Sequence, residues 1–160
     1  DVVTLYDLAC GILICSGNDS ANASAIAISG SLEEIAKRMN AKAKELGIDN
    51  TPTEDVIANL TMLVENVLDK ARIGIGAPII VNSGYRCEEL NKAVGGKKNS
   101  QHKKGEAADI TTGTFYGNMC LFNFIKDNLE FDQLIDEKHY KWVHVSFRKG
   151  RNRKEVLHSK

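Results

Sequence analysis

The strongest folding signal in this 160-residue chain is an apolar repeat with helical spacing in residues 51–76. Its apolar members recur at steps of three and four: Val56, Leu60, Leu63, Val64, Val67, Leu68 and Ala71. This spacing predicts an α-helix that buries one face against other elements. We predict Thr51 as its N-cap, with Glu54 completing a capping box, and Gly74 and Gly76 as its end.

A second helix is predicted over residues 31–47. Ser31 and Glu34 have the spacing of a capping box, apolar residues follow at helical steps, and Gly47 supplies a left-handed stop. Both helices are interpreted as core packing without chemistry. Residues 1–30 are less informative, and a short strand or helix followed by a loop is expected there.

Short strand and helix patterns alternate through the remainder of the chain. The predicted elements are a buried strand at 78–82, a helix at 87–94, a strand at 107–111, a helix at 115–128 and strands at 131–135 and 142–147. The last two strands are expected to pair as neighbours. No repeat or linker divides the chain, so we predict a single domain over residues 1–160.

Composition narrows the classes of protein that fit. Hydrophobic residues make up 42% and charged residues 26%, which predicts a packed globule. The formal net charge of zero argues against a general nucleic-acid binder, although residues 148–154 hold five basic residues in seven. No apolar run reaches the roughly 18 residues that a membrane span requires.

The four cysteines stand at positions 10, 15, 87 and 120, and none forms a Cys-x-x-Cys pair. A thiolate metal site is therefore not expected. Their even number permits disulfides but fixes no pairing. We expect free, mostly buried thiols, because cysteine often serves as a small core residue.

A histidine and an aspartate stand seven residues apart in the stretch 100–109, as His102 and Asp109, and His144 follows far downstream. Two imidazoles and one carboxylate form a reasonable ligand set for a zinc ion that keeps one position open for water. The spacing alone is weak evidence. In the alternative, Asp109 caps or turns the chain and both histidines make ordinary hydrogen bonds.

The same residues fit a known signature. Ser100-x-His102-x-x-Gly105-x-Ala107-x-Asp109 resembles the motif of the zinc D-Ala-D-Ala carboxypeptidase-like metallopeptidases, which share a fold with the amino-terminal domain of hedgehog proteins. Segments 47–52, 83–86, 95–96, 131–135 and 142–147 resemble the branch that is common in bacteriophages and prophages. The resemblance covers residues 31–157 and leaves residues 1–30 as an N-terminal extension.

This resemblance implies an α+β fold of the hedgehog/DD-peptidase type, with a small, mainly antiparallel sheet and helices packed on one side. It also implies that His102, Asp109 and His144 hold Zn²⁺. The expected setting is a monomer without nucleic acid or membrane span, in the cell envelope, the periplasm or phage lysis.

Three further residues are expected to contact the substrate. Arg86 matches the arginine that binds a substrate carbonyl or carboxylate and steadies the oxyanion, a task that suits its planar fork. Ser100 matches a residue that helps to hold the substrate, and Tyr85 is expected to assist. The alternatives are an ion pair of Arg86 at a helix start and a turn-forming role for Ser100.

The general base is less clear from the sequence. Many members of the resembled family place an acid three residues before the last zinc-binding histidine, where this chain has Lys141. In the phage-like branch the acid falls earlier, so Glu137 matches it if the connection carries a one-residue insertion, and Asp136 competes. In a third possibility both acids solvate a hairpin turn.

The resulting hypothesis is a zinc-dependent peptidase that hydrolyses peptidoglycan stem peptides. It would act as a D-Ala-D-Ala carboxypeptidase or as an L,D-type, endolysin-like endopeptidase. The alternative is a non-catalytic zinc-binding module of a phage or cell-wall-associated protein. The basic residues Lys97, Lys98, Lys103 and Lys104 are either a solvated loop or a rim that attracts an anionic substrate. Trp142 is expected in the core.

Overall fold

The computed structural model describes residues 49–159 continuously and, before them, positions 26, 27, 30, 31, 34, 37, 38, 41, 45 and 47. The chain divides into two compact units, residues 1–49 and residues 50–160. That these units form one domain, as the chain length led us to expect, stays a prediction.

The described residues of the first unit agree with the predicted helix at 31–47. The Glu34 N–H donates to Ser31 Oγ at 3.1 Å, and the described positions between Glu34 and Glu45 are helical. Gly47 has a φ of 81°, as a left-handed stop requires. The apolar stripe of this helix, Cys10, Cys15 and the elements expected within residues 1–25 lie outside the described residues.

The second unit begins with a long helical segment. Helix α1 (Glu54–Leu63) continues through a wider, π-helical turn, Val64–Leu68, into helix α2 (Asp69–Ile75). The N-cap is Thr53 and not Thr51, because the Thr53 hydroxyl is the one that accepts from the Val56 N–H, at 3.4 Å.

Gly76 ends this segment in the left-handed conformation, as predicted, but Gly74 does not end it. Gly74 lies inside α2, where a Cβ atom would overlap the ring of Phe124. Its missing side chain therefore serves close packing and not helix termination.

Among the described residues the sheet has five strands: β1 (Ile80–Ser83), β2 (Ala107–Thr111), β3 (Gln133–Glu137), β4 (Trp142–Ser146) and β5 (Glu155–His158). Their spatial order is β1-β2-β4-β3-β5, and every neighbouring pair is antiparallel except β3–β5. This confirms the predicted small, mainly antiparallel sheet and the pairing of β3 with β4. Strand β5 was not predicted.

The strand expected to be buried at 78–82 is an exposed edge strand. Ile80 is 39% and Val81 is 52% exposed, since β1 pairs only with β2 within the described part of the chain. A β-branched run indicates a strand, but it does not indicate whether that strand lies at the edge or in the centre of a sheet.

The remaining helices are α3 (Glu88–Ala93), a 3₁₀ turn at Gln101–Lys104 and α4 (Phe115–Asn128), which has the predicted bounds. The described helices contain none that is long and apolar enough to cross a membrane. Of the described cysteines, Cys87 is free and buried, as expected, whereas Cys120 is free but exposed.

The hydrophobic core lies between the sheet and the helices. The buried strand residues are Ala108, Ile110, Leu134, Val143 and Val145, and they cluster with residues of α2 and α4 and of the segment that precedes α2. Alternate residues of a strand point to opposite faces. The residues between these core positions, which include Asp109 and His144, therefore share the face of the sheet that the core does not use.

Candidate metal centre and its cleft

His102 lies in the 3₁₀ turn that precedes β2 and is only 2% exposed. Its Nδ1 lies 2.7 Å from the carbonyl oxygen of Gly84. Because a carbonyl can only accept, Nδ1 donates this hydrogen bond, and Nε2, which lies within 3.3 Å of Asp109 Oδ1 and of His144 Nδ1, is the nitrogen left for a metal ion.

Gly105 ends this turn with a φ of 68°, and a Cβ atom there would lie 2.6 Å from the carbonyl oxygen of Val56. Glycine is thus required at this position of the motif for two reasons, its backbone conformation and the close approach of α1. Gly105 allows the turn that carries His102 to pack against this helix and to lead directly into β2.

Asp109 and His144 are directly paired on the neighbouring antiparallel strands β2 and β4. Asp109 Oδ1 lies 2.8 Å from His144 Nδ1 and 3.3 Å from His102 Nε2. One ligand atom from each of the three residues lies within 4.8 Å of the others. The structure therefore brings together the three residues that the sequence predicts as metal ligands.

The electrostatics of this cluster favour a charged carboxylate. Burial by itself raises the pKa of the Asp109 carboxyl, but hydrogen bonds and charge from His102 and His144 outweigh burial and hold that pKa well below its usual range. Asp109 is thus ionised at neutral pH, which is the form that a metal ligand must have.

The donor set fits a zinc ion. Two imidazole nitrogens and one carboxylate oxygen are ordinary zinc ligands, and three protein ligands leave a fourth position open. The hydrogen bond from His102 to Gly84 is the kind of outer contact that fixes the tautomer and orientation of a ligating histidine.

Arg86 stands beside this cluster. Its Nη2 lies 3.5 Å from Asp109 Oδ2, and its backbone N–H donates to the carbonyl of His102 at 3.2 Å. Its Nε is buried and has no hydrogen-bond partner among the described residues. The guanidinium therefore retains donor capacity next to the candidate metal position. Arg86 forms its ion pair with Asp109. The alternative expected from the sequence was an ion pair at the start of a helix, which here would be α3.

A cleft of about 770 Å³ opens over the cluster. Arg86 and Ser100 line it together with the three candidate ligands, so the structure brings these predicted site residues together. Tyr85 is half-buried and does not line this cleft, and its expected contact with the substrate stays a prediction.

The two candidate bases lie on opposite faces of β3. Glu137 lines the cleft and pairs with Trp142 across the strands. Asp136 is 5% exposed on the core side, and its Oδ1 lies 3.1 Å from Nδ1 of His158. Lys141 is exposed and does not line the cleft.

Trp142 lines the cleft and not the core, contrary to the expectation from the sequence. Trp142 lies two residues from His144 on β4, so both side chains are on the same face of the sheet, whereas Val143 between them is fully buried. The alternation of β4, counted outward from His144, was the signal that could have placed Trp142 correctly. Counting across to β3 in the same way finds Ile135 and Glu137.

Comparison with known proteins agrees with this geometry. Residues 31–146 match the family described as Peptidase M15, a range that covers more than half of the chain and all three candidate ligands. The chain belongs to the Peptidase M15 family. This membership and the sheet with its packed helices confirm the α+β fold that the resemblance implied.

A second match covers the N-terminal part and includes residues 1–30, which the motif resemblance did not reach. Residues 1–59 match the family described as D-alanyl-D-alanine carboxypeptidase. D-alanyl-D-alanine carboxypeptidase DacF from Bacillus subtilis (strain 168) is 55% identical over 49 residues, which are 31% of this chain and 13% of that protein. The chain thus spans only a small part of that relative's length. Together the matches support assignment to a D-Ala-D-Ala carboxypeptidase-like family.

Proposed function

We propose that this protein is a zinc-dependent peptidase that hydrolyses peptidoglycan stem peptides. The observation that carries the proposal is the convergence of His102, Asp109 and His144 beneath a cleft that Arg86 and Glu137 also line. Membership of Peptidase M15 supports the peptide-hydrolysing activity. The second family match, whose printed name is D-alanyl-D-alanine carboxypeptidase, supports a cell-wall peptide as substrate.

When bound, the zinc ion would supply a Lewis acid that activates water and polarises a carbonyl. Glu137 is the carboxylate that takes the proton from the attacking water and returns it to the leaving amine. It is preferred over Asp136 because only Glu137 lines the cleft. Arg86 donates hydrogen bonds to the oxygen on which negative charge develops, or to the terminal carboxylate of the peptide.

Two modes of cleavage fit this site. A carboxypeptidase would use Arg86 to hold the free C-terminal carboxylate, and an endolysin-like L,D-endopeptidase would accept a longer chain on both sides of the cleaved bond. We further infer a monomer that acts in the cell envelope, the periplasm or phage lysis. The competing function is a non-catalytic zinc-binding module, which is favoured by Lys141 at the position where many relatives of this type place an acid.

The test is mass spectrometry of purified muropeptides after incubation with the protein, with and without a chelator. Chelator-sensitive loss of one alanine from pentapeptide stems is the result expected of a carboxypeptidase, and release of larger fragments is that expected of an endopeptidase. An unchanged mass spectrum, with stoichiometric zinc measured in the same sample, would replace the enzyme with the zinc-binding module.

A further inference from the structure

The basic residues near the candidate site fall into two groups that the sequence alone does not separate. Those that line the cleft are Arg86, Lys97, Lys104, Arg148, Arg151 and Arg153. Their neighbours Lys98, Lys103, Lys149 and Lys154 do not line it. Adjacent lysines such as Lys97 and Lys98 are therefore placed differently with respect to the candidate site.

Besides Arg86, which lies beside Asp109, two of the cleft cations are already paired with acids. Arg148 Nε lies 3.4 Å from Glu106 Oε2. Arg153 forms a two-pronged contact with the buried Asp132, with both N···O distances at 2.8 Å, and a further ion pair with Glu155. The charges of Arg148 and Arg153 are therefore already engaged by acids of the protein itself.

Lys97, Lys104 and Arg151 differ from this group, and we call them the free cleft cations. None of the three has an ion-pair partner within the part of the chain that the structure describes, and all are exposed. Their side chains can therefore turn towards a ligand without first breaking an ion pair.

The charge of the cleft wall contrasts with that of the whole molecule. Six cations line the cleft against three carboxylates, those of Glu106, Asp109 and Glu137, although the chain as a whole has a net charge of zero. A cleft with one dominant sign of charge concentrates ligands of the opposite sign. This wall therefore favours an anionic ligand even before a metal cation adds its charge.

We propose that the free cleft cations form a second anion subsite, which selects stem peptides with a free carboxylate away from the cleaved bond. The inference rests on the proposed function and extends it, because it names the chemical feature of the substrate that this chain recognises. Arg86, beside the metal cluster, serves the reacting carbonyl or the terminal carboxylate. Lys97 and Arg151 come from two separate segments and bind the remote carboxylate, and Lys104 adds positive charge to the same cleft wall.

A pair of synthetic stem peptides tests this subsite on the full, zinc-loaded chain. The two peptides share one sequence, and one carries a free side-branch carboxylate where the other carries the amide. We expect the wild type to bind the acid about fivefold more tightly in calorimetry, and less so at high salt, as for a contact between exposed charges. The same ratio is expected in kcat/KM.

The variant Lys97→Gln/Arg151→Gln should bind both peptides equally. Its matched control is Lys98→Gln/Lys149→Gln, which removes the same charge from the same two segments but outside the cleft. The control should keep the wild-type preference. An equal loss of preference in both double variants would overturn the subsite in favour of a general charge effect.

The outcomes separate this inference from the proposed function. Cleavage of both peptides at equal rates and with equal affinity would overturn the subsite and leave the peptidase. Absence of cleavage, with a calorimetric preference that the Lys97→Gln/Arg151→Gln variant abolishes, would support the subsite and overturn the peptidase.

Discussion

Asp109 and His144 face each other across two antiparallel strands, with 2.8 Å between Asp109 Oδ1 and His144 Nδ1. On its other side, β4 pairs with β3, which sets Ile135 opposite His144 and, two residues further along, Glu137 opposite Trp142. The chemistry of the cleft face is therefore specified by the phase of three strands. A slip of one residue in any of them would turn its functional side chain into the core.

Loss of His102 should abolish metal binding. We expect His102→Ala to lower zinc affinity by more than about a hundredfold, since the loss of a mere outer partner of a ligand already costs roughly 10- to 100-fold. Metal analysis of the dialysed protein measures the change. His139→Asn is the control, because His139 is exposed in the β3–β4 connection and asparagine tolerates its positive φ of 54°. Stoichiometric zinc in His102→Ala would remove His102 from the ligand set.

The two acids of β3 should respond differently to removal of their charge. Glu137→Gln should retain zinc and lose about 10²- to 10⁴-fold in kcat, the usual contribution of a general base. Asp136→Asn should retain turnover and instead lose stability, because Asp136 is buried beside His158 on the core side. Steady-state kinetics and urea unfolding of both variants measure this. Inactivity of a folded, zinc-loaded Asp136→Asn protein would exchange the two assignments.

Much of this arrangement follows from local patterns. The bounds of α4 and the positions of Asp109 and His144 on strands are fixed by periodicity, which depends on neighbouring residues only. The exposure of β1, the addition of β5 and the outward placement of Trp142 depend on which strands pair and which face the helices cover. These are long-range choices, so a single stretch of sequence does not contain them.

Asp132 connects three parts of the second unit. It is fully buried, and besides Arg153 it accepts from Gln101 Nε2 at 2.9 Å, in the turn that carries His102. Hydrogen bonds from Arg153 lower the pKa of Asp132 below its ordinary value of 3.8, against the opposing effect of burial. Because this pKa is lower in the folded state than in the unfolded state, the ionised carboxylate stabilises the fold above about pH 4, the unfolded pKa.

The contribution of Asp132 should disappear in acid. We expect Asp132→Asn to lower the free energy of unfolding by about 1–3 kcal/mol at pH 7, as for hydrogen bonds to a charged group. The difference from wild type should shrink as the pH falls below about 4 and through the folded-state pKa. Urea unfolding at several pH values measures it.

The control for Asp132→Asn is Glu130→Gln. This variant breaks an exposed ion pair of 2.8 Å between Glu130 Oε1 and Lys154 Nζ. Exposed pairs contribute little, so a change below about 1 kcal/mol is expected at every pH. If the difference in the free energy of unfolding between wild type and Asp132→Asn stayed constant down to pH 2, the lowered pKa of Asp132 would be contradicted.

The connection between β3 and β4 is a strained turn that begins directly after Glu137. Lys138, His139 and Tyr140 have φ values of 47°, 54° and 59°, which cost about 1–2 kcal/mol for each non-glycine residue. Asn118 of α4 holds this turn, since its Nδ2 donates to the carbonyls of Tyr140 and Lys141 at 2.9 and 3.1 Å. Its Oδ1 meanwhile accepts from three groups at the end of β2.

Removal of Asn118 should therefore affect both stability and turnover. Asn118→Ala leaves several buried polar groups without partners, and we expect it to cost about 2–4 kcal/mol in the free energy of unfolding. In the folded, zinc-loaded variant we expect kcat to fall about tenfold with KM unchanged, because the relaxed turn no longer orients Glu137. Asn128→Ala is the control, since Asn128 is exposed at the end of the same helix and its side chain donates to the carbonyl of Phe124, within its own helix. If Asn118→Ala lost stability but kept its full kcat, the turn would hold the fold without positioning the base.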